Sequence, residues 1–206
     1  SPGNYTAGTG GAYAWLGNME SFLGDWVQPI EDIPENPDLR VRDWMYHGAD
    51  TVVLSEELPM LFKKFRDTES PDFGNDTPIM RYTEVVLIYA EATAMANGAP
   101  TAESYEWINK VRRRAHGEPL DEPSQWDLET GLSAEEFQEE LLLERGKEFI
   151  MESKRWYDLI RTGTAIETIR AAGDEDIKER HLLWPIPARE IDNNDAISYD
   201  DQNPGW

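Results

Sequence analysis

From Pro78 onward, apolar positions recur three and four residues apart, the spacing of helices that bury one face. A Thr77-Pro78 start and an Asn97-Gly98 stop bracket a helix predicted over Ile79–Asn97. Its centre, "VVLIYA" (85–90), is the longest apolar run in the chain. A second helix is predicted from Thr101 to Ala115, ending before Gly117. A third opens at "SAEE" (133–136), where Ser133 and Glu136 can satisfy each other's backbone amides. The pattern carries it to about Thr162, with Gly163 as its stop. A fourth spans Thr164–Ala172. The acidic, proline-punctuated stretch 117–132 reads as a surface loop, and the tail 182–206 as extended chain with turns.

Up to residue 80 the texture differs. Residues 1–11 are rich in Gly, Ser and Thr, and Pro29, Pro34, Pro37, Pro59, Pro71 and Pro78 break the rest into short pieces. Short helices are predicted at Tyr13–Leu23, Pro37–Trp44 and Leu58–Phe65, with "TVVL" (51–54) as a strand. The chain thus divides into a loop-rich region, 1–76, and a helical region with an extended tail, 77–206. The pair of helices over 79–115 forms a hairpin about the size of one tetratricopeptide unit, roughly 34 residues. Such a hairpin cannot bury its apolar face alone and needs neighbours.

The third helix carries the most unusual pattern. On a wheel of about 100° per residue, Leu142, Gly146, Phe149, Ser153, Trp156 and Ile160 share one stripe, flanked by Leu143, Ile150 and Tyr157. Gly146 and Ser153 are its small members, suited to close approach of a neighbouring helix. A second stripe reads Leu141, Arg145, Glu148, Glu152, Arg155, Leu159, so that Arg145 meets Glu148 and Glu152 meets Arg155 at the edge of the core. Glu144, Lys147, Met151, Lys154 and Asp158 are left for solvent. A glycosidase would need two carboxylates facing a cleft, about 5 Å apart or about 6.5–9.5 Å apart according to mechanism. Glu148 and Glu152 stand one turn apart, but each has an arginine within helical reach to hold its pKa down and deny it a proton to donate. The acids therefore read as architecture.

Composition narrows the classes. The chain has 206 residues, 39% apolar and 29% charged, with no run long enough to span a bilayer as a helix. Its opening stretch, "SPGNYTAGTGG", has neither the basic nor the apolar segment of a secretion signal. With 19 basic and 41 acidic residues the net charge is -22, which opposes binding to nucleic acid or to anionic lipid. The absence of cysteine excludes disulfides, thiol catalysis and thiolate metal sites. His47, His116 and His181 show no metal-ligand spacing, and no cofactor motif is present.

Several stretches carry a resemblance. "RYTEVVLIYAEA" (81–92), "INKVRRRA" (108–115), "ERGKEFIMESKRWYDLIR" (144–161), "LLWPIPAREIDNN" (182–194) and "QNPGW" (202–206) follow one another in the order of signatures of the SusD/RagB family. "PDLRVRDWM" (37–45) also resembles a family stretch, so the likeness covers roughly 37–206. It implies a mainly α fold, with tetratricopeptide-like helical hairpins in an alpha-alpha superhelix and long irregular loops. It implies non-catalytic capture of an oligosaccharide or similar nutrient at the surface of the outer membrane, and delivery to a SusC-like, TonB-dependent β-barrel transporter. Family members are about twice as long and begin with a lipid-anchored segment. The chain resembles the C-terminal portion, with the N-terminal portion of the same protein as a further partner.

The resemblance places ligand contacts on the irregular region and makes 1–76 the ligand-facing part. Sugars pack their C–H faces on aromatic rings and offer hydroxyls to polar neighbours, so a carbohydrate platform needs exposed Trp and Tyr in loops. The candidates are Trp15, Trp26, Tyr13, Trp44 and Tyr46, with Trp126 a more distant one; Trp107 and Trp156, on helices, read as core. A peptide-binding relative and a helical-repeat scaffold for proteins are the alternatives.

Overall fold

The computed structural model describes residues 36–46, Lys64 and 78–206, together with short strands at 4–5, 12–14 and 61–62; side chains are described for 36–42, Lys64 and 78–206. It is mainly helical and divides into two compact units, residues 1–154 and 155–206.

In the first unit, α1 (Leu39–Trp44) starts where Asp38 turns back on the chain, its Oδ1 accepting from the Arg40 amide at 2.9 Å. Next come α2 (Tyr82–Asn97), α3 (Ala102–Ala115) and α4 (Ala134–Glu148). The α2–α3 hairpin turns at Gly98, whose φ of 68° lies in the left-handed region, as the Asn97-Gly98 pair predicts. Thr101 and Ser104 form a capping box at the start of α3, and Ser133 and Glu136 form another at the start of α4. One core joins the three helices: Val86, Leu87, Ala90 and Ala94 of α2, Tyr105, Ile108 and Val111 of α3, and Phe137 and Leu141 of α4. The Tyr105 and Phe137 rings meet edge to face at 5.4 Å.

The loop after α3 is more tightly held than a surface loop need be. Arg113 donates to both carboxylate oxygens of Asp127 and to the Leu120 carbonyl. The Asn109 side chain accepts from the Leu128 amide, and the Tyr105 hydroxyl accepts from the Leu132 amide. Trp126 stacks flat on His116, ring centroids 3.9 Å apart.

Three expectations are corrected. First, α2 begins at Tyr82 and not at Ile79; Arg81 sits at the N-cap in extended conformation, and its side chain is spent on a distant ion pair. Thr77 lies outside the described residues. Second, the helix predicted from Ser133 to Thr162 breaks after Glu148, and Met151 and Ser153 adopt left-handed φ values of 65° and 58°. The Glu148 carbonyl, which a continuing helix would pair with the Glu152 amide, instead accepts from Arg81 Nη2 and Lys64 Nζ, each at 2.7 Å. Cations from elsewhere thus terminate α4, and they complement the negative end of its dipole. Third, Tyr13 and Ala14 belong to strand β2 (Ala12–Ala14), and Leu61 and Phe62 to β4 (Leu61–Phe62), not to helices. With β1 (Asn4–Tyr5) and β3 (Met45–Tyr46) they form an antiparallel sheet in the order β1-β2-β4-β3. Its pairings join segments far apart in sequence, a signal that local periodicity cannot carry. Apart from Lys64, which lies in a turn, the rest of those two predicted helices and the "TVVL" strand lie outside the described residues.

The second unit holds α5 (Arg155–Arg161), α6 (Ala165–Ala171) and α7 (Ala188–Asn193). The tail is more ordered than extended chain. Gln202 brackets Ile186, accepting from its amide at 2.7 Å and donating to its carbonyl at 2.9 Å. The Trp206 indole donates to the Arg180 and Leu183 carbonyls while the Arg180 guanidinium covers its ring. Gly205, at φ 88°, leaves no room for a side chain: a Cβ there would stand 2.8 Å from Arg180 Cβ.

Candidate functional site

The acids of α4 are buried rather than half-buried at the edge. Glu144 and Glu148 are 1% and 0% exposed, and Glu152, in the turn that follows, is 6% exposed. At intervals of four they present three carboxylates in a row along the helix and its extension. Glu144, assigned to solvent by the wheel, is thus a core residue. A wheel places Glu144 only by the apolar residues of its own helix and cannot register cations arriving from other segments.

Those cations come from four places. Arg40 of α1 donates to Glu144 at 2.6 Å and to Glu148 at 3.2 Å, while its other edge is held by Asp38. Arg81, at the N-cap of α2, reaches Glu148 at 2.7 Å and Glu152 at 2.9 Å. Arg114 of α3 lies 2.6 Å from Glu148, and Arg112 lies 3.6 Å from Glu144. Lys64 donates to Glu152, to the Glu148 carbonyl and to the Ile150 carbonyl. The neutralising arginines therefore come from α1, α2 and α3, not from the same helix one turn away. Arg145, expected beside Glu148, lies instead over the Phe149 ring and 3.8 Å from Glu84. Glu152 is held by Arg81 and Lys64.

This arrangement fixes protonation. Burial pushes the Glu148 carboxyl up, but Arg114, Arg40 and Arg81 together outweigh it and its pKa ends below the usual value. Burial also works against the Arg40 charge, and Glu144 and Asp38 overcome it, so the Arg40 pKa is raised. For Lys64 burial wins: its pKa falls to about 8 despite the hydrogen bond to Glu152. A carboxylate held ionised by three arginines has no proton to give, so Glu148 is unsuited to general-acid chemistry. Among the described residues no group of three His, Asp or Glu side chains is arranged to hold a metal ion.

Of the five aromatic candidates, Tyr13 stands on β2, Tyr46 on β3, and Trp44 at the end of α1 directly before β3. The register sets Tyr13 opposite Phe62 and Tyr46 opposite Leu61, so β4 lies between the strands that carry the two tyrosines. The sheet therefore gathers into one small element backbone positions 33 residues apart in the chain. Trp15 and Trp26 lie outside the described residues. Trp126 is half-buried against His116, and Trp107 is partly buried against the main core. Arg40, Lys64, Arg81 and Arg114 escaped the sequence reading. Their one trace there is the excess of acids at intervals of four on α4, more than the basic residues of that helix can serve.

Comparison with known proteins agrees with the fold and the motifs. The chain is 25% identical over 184 residues to SusD-like protein P38 of Formosa agariphila, an alignment covering 84% of this chain and 36% of that protein. The solved structure of a SusD superfamily protein from Bacteroides vulgatus superposes with a TM-score of 0.68 at 22% identity, over 98% of this chain and 47% of that one. A laminarin-binding SusD-like protein superposes with a TM-score of 0.56 at 22% identity, over 87% of this chain and 38% of that one. The chain thus spans about a third of the length of that curated relative. The SusD family profile matches residues 55–206, which take in α2 to α7 and the ordered tail, and the chain belongs to the SusD family.

Proposed function

We propose that this chain is part of a non-catalytic, cell-surface glycan-binding protein of the outer membrane, one that passes its ligand to a TonB-dependent transporter. Membership of the SusD family carries this reading. It is supported by the α4 acids, whose oxygens are taken up by arginines and a lysine. The laminarin-binding relative of the same fold favours a glycan over a peptide as the ligand class.

On this reading the aromatic residues of the region before residue 77 supply the sugar platform, with Trp15 and Trp26 foremost and Tyr13, Trp44 and Tyr46 beside them. Stacking of sugar C–H faces on such rings needs no ionisable group, so binding is insensitive to pH near neutrality. Titration calorimetry with a panel of β-glucan and α-glucan oligosaccharides, and of peptides, tests it. Glycan binding that is lost in Trp15→Ala or Trp26→Ala is the expected result. Binding of peptides alone, or affinity unchanged in both variants, removes the platform.

A further inference from the structure

Glu144 and Glu148 of α4 and Glu152 of the turn after it do more than fill a polar gap between helices. Two of their cations stand at the roots of the β3–β4 pair. Arg40 lies in α1, which leads directly into β3, and Lys64 lies two residues beyond Phe62, the last residue of β4. Both are held by the C-terminal end of α4 and the turn that follows it: Arg40 by Glu144 and Glu148, and Lys64 by Glu152 and by the Glu148 and Ile150 carbonyls. The segment 36–42 contributes little apolar anchorage of its own: Val41 is buried, but Asn36, Asp38 and Arg40 are the other buried residues of that segment. Arg81 and Arg114, by contrast, tie α4 to helices that already share an apolar core with it.

We propose that Glu144, Glu148 and Glu152 form an anchoring rail that fixes the chain before β3 and after β4 to the helical framework. They thereby act as positioning residues for the ligand face. The anchoring stands on the ion pairs alone; its consequence for ligand rests on the glycan reading above.

The two kinds of ion pair should respond differently to substitution. Removing a rail contact to Arg40 or Lys64 loosens 39–46 or 61–64, while the α2–α3–α4 core keeps its apolar packing. Hydrogen exchange on the whole chain reads this directly. In Lys64→Met the amides of 61–64 are expected to exchange at least tenfold faster, with those of 86–90, 105–111 and 137–142 unchanged, and Lys64→Arg should restore most of the protection. Glu144→Gln should do the same to 39–46. If Glu144→Gln fails to fold, the two Lys64 variants decide. Exchange at 61–64 unchanged in Lys64→Met, or raised equally throughout the three helices, overturns the anchoring. Affinity for a glycan that the wild-type chain binds should fall about tenfold in Lys64→Met and recover in Lys64→Arg. Unchanged affinity with loosened 61–64 overturns the positioning role. If the wild-type chain binds no glycan, the glycan reading fails and the exchange result still decides the anchoring.

Discussion

On Glu148 three arginines converge, from α1, from the N-cap of α2 and from α3, and meet one fully buried carboxylate. Removing one member of a buried, hydrogen-bonded charge cluster leaves the others unpaired, at a cost of about 3–5 kcal/mol. Glu148→Gln is therefore expected to lower stability in urea by about that amount. Because the folded pKa of Glu148 is depressed, its contribution is complete above the ordinary glutamate value of 4.5 and is lost as pH falls through the folded value. The acid limb of the stability curve should accordingly flatten in Glu148→Gln. Lys64 has the opposite signature. Its folded pKa, about 8, lies below the ordinary 10.5, so between these values the unfolded chain binds more protons and stability rises with pH. Among the described residues, the charged groups facing Lys64 include Glu152, Glu148 and Arg81. A rise in urea midpoint between pH 8 and 10 that disappears in Lys64→Met is the expected result, and a flat wild-type profile counts against it. Neither behaviour is readable from sequence, because it depends on which distant cation reaches which acid.

Helix starts and stops encoded by local chemistry were legible: the Ser133–Glu136 capping box, the Thr101 cap and the Gly98 stop all stand where the residues place them. Boundaries set by distant partners were not. The end of α4 has neither glycine nor proline to mark it; Arg81 and Lys64 make it by capturing the Glu148 carbonyl. The same limit hid the β2–β4 and β3–β4 pairings, whose partners come from separate stretches of a proline-broken region. Of the candidate site, the aromatic positions could be picked by residue type, but their grouping through the sheet could not. A substitution at Ser153 separates the two descriptions of 149–154. In a continuous helix Ser153→Gly costs roughly 0.5–1 kcal/mol. In the left-handed conformation found here glycine relieves strain of about 1 kcal/mol, so the variant should be neutral or more stable. Urea denaturation at neutral pH decides by the sign.

At the scale of the whole molecule, the chain shows what a tetratricopeptide-like hairpin leaves unsatisfied. One face of α2 packs on α3 and α4, while Tyr82, Val85, Ile88 and Met95 on its other side are exposed, Tyr82 by 75% and Met95 by 68%. Such a stripe is larger than the scattered apolar residues of an ordinary surface. The chain should bind an environment-sensitive apolar dye, and Ile88→Lys with Met95→Glu should reduce that signal severalfold; no dye binding by the wild type contradicts the exposed stripe. The family signatures made the fold class legible, since caps, spacing and the "QNPGW" end are local features. The acids already read as architecture in the sequence, but the cations that hold them, from α1, α3, the N-cap of α2 and Lys64, did not. The most direct test of capture without chemistry is chromatography of a glycan panel incubated with the wild-type chain and with Glu148→Gln. The account predicts that a bound glycan is recovered intact from both. A shortened product formed by the wild type and absent with Glu148→Gln contradicts it.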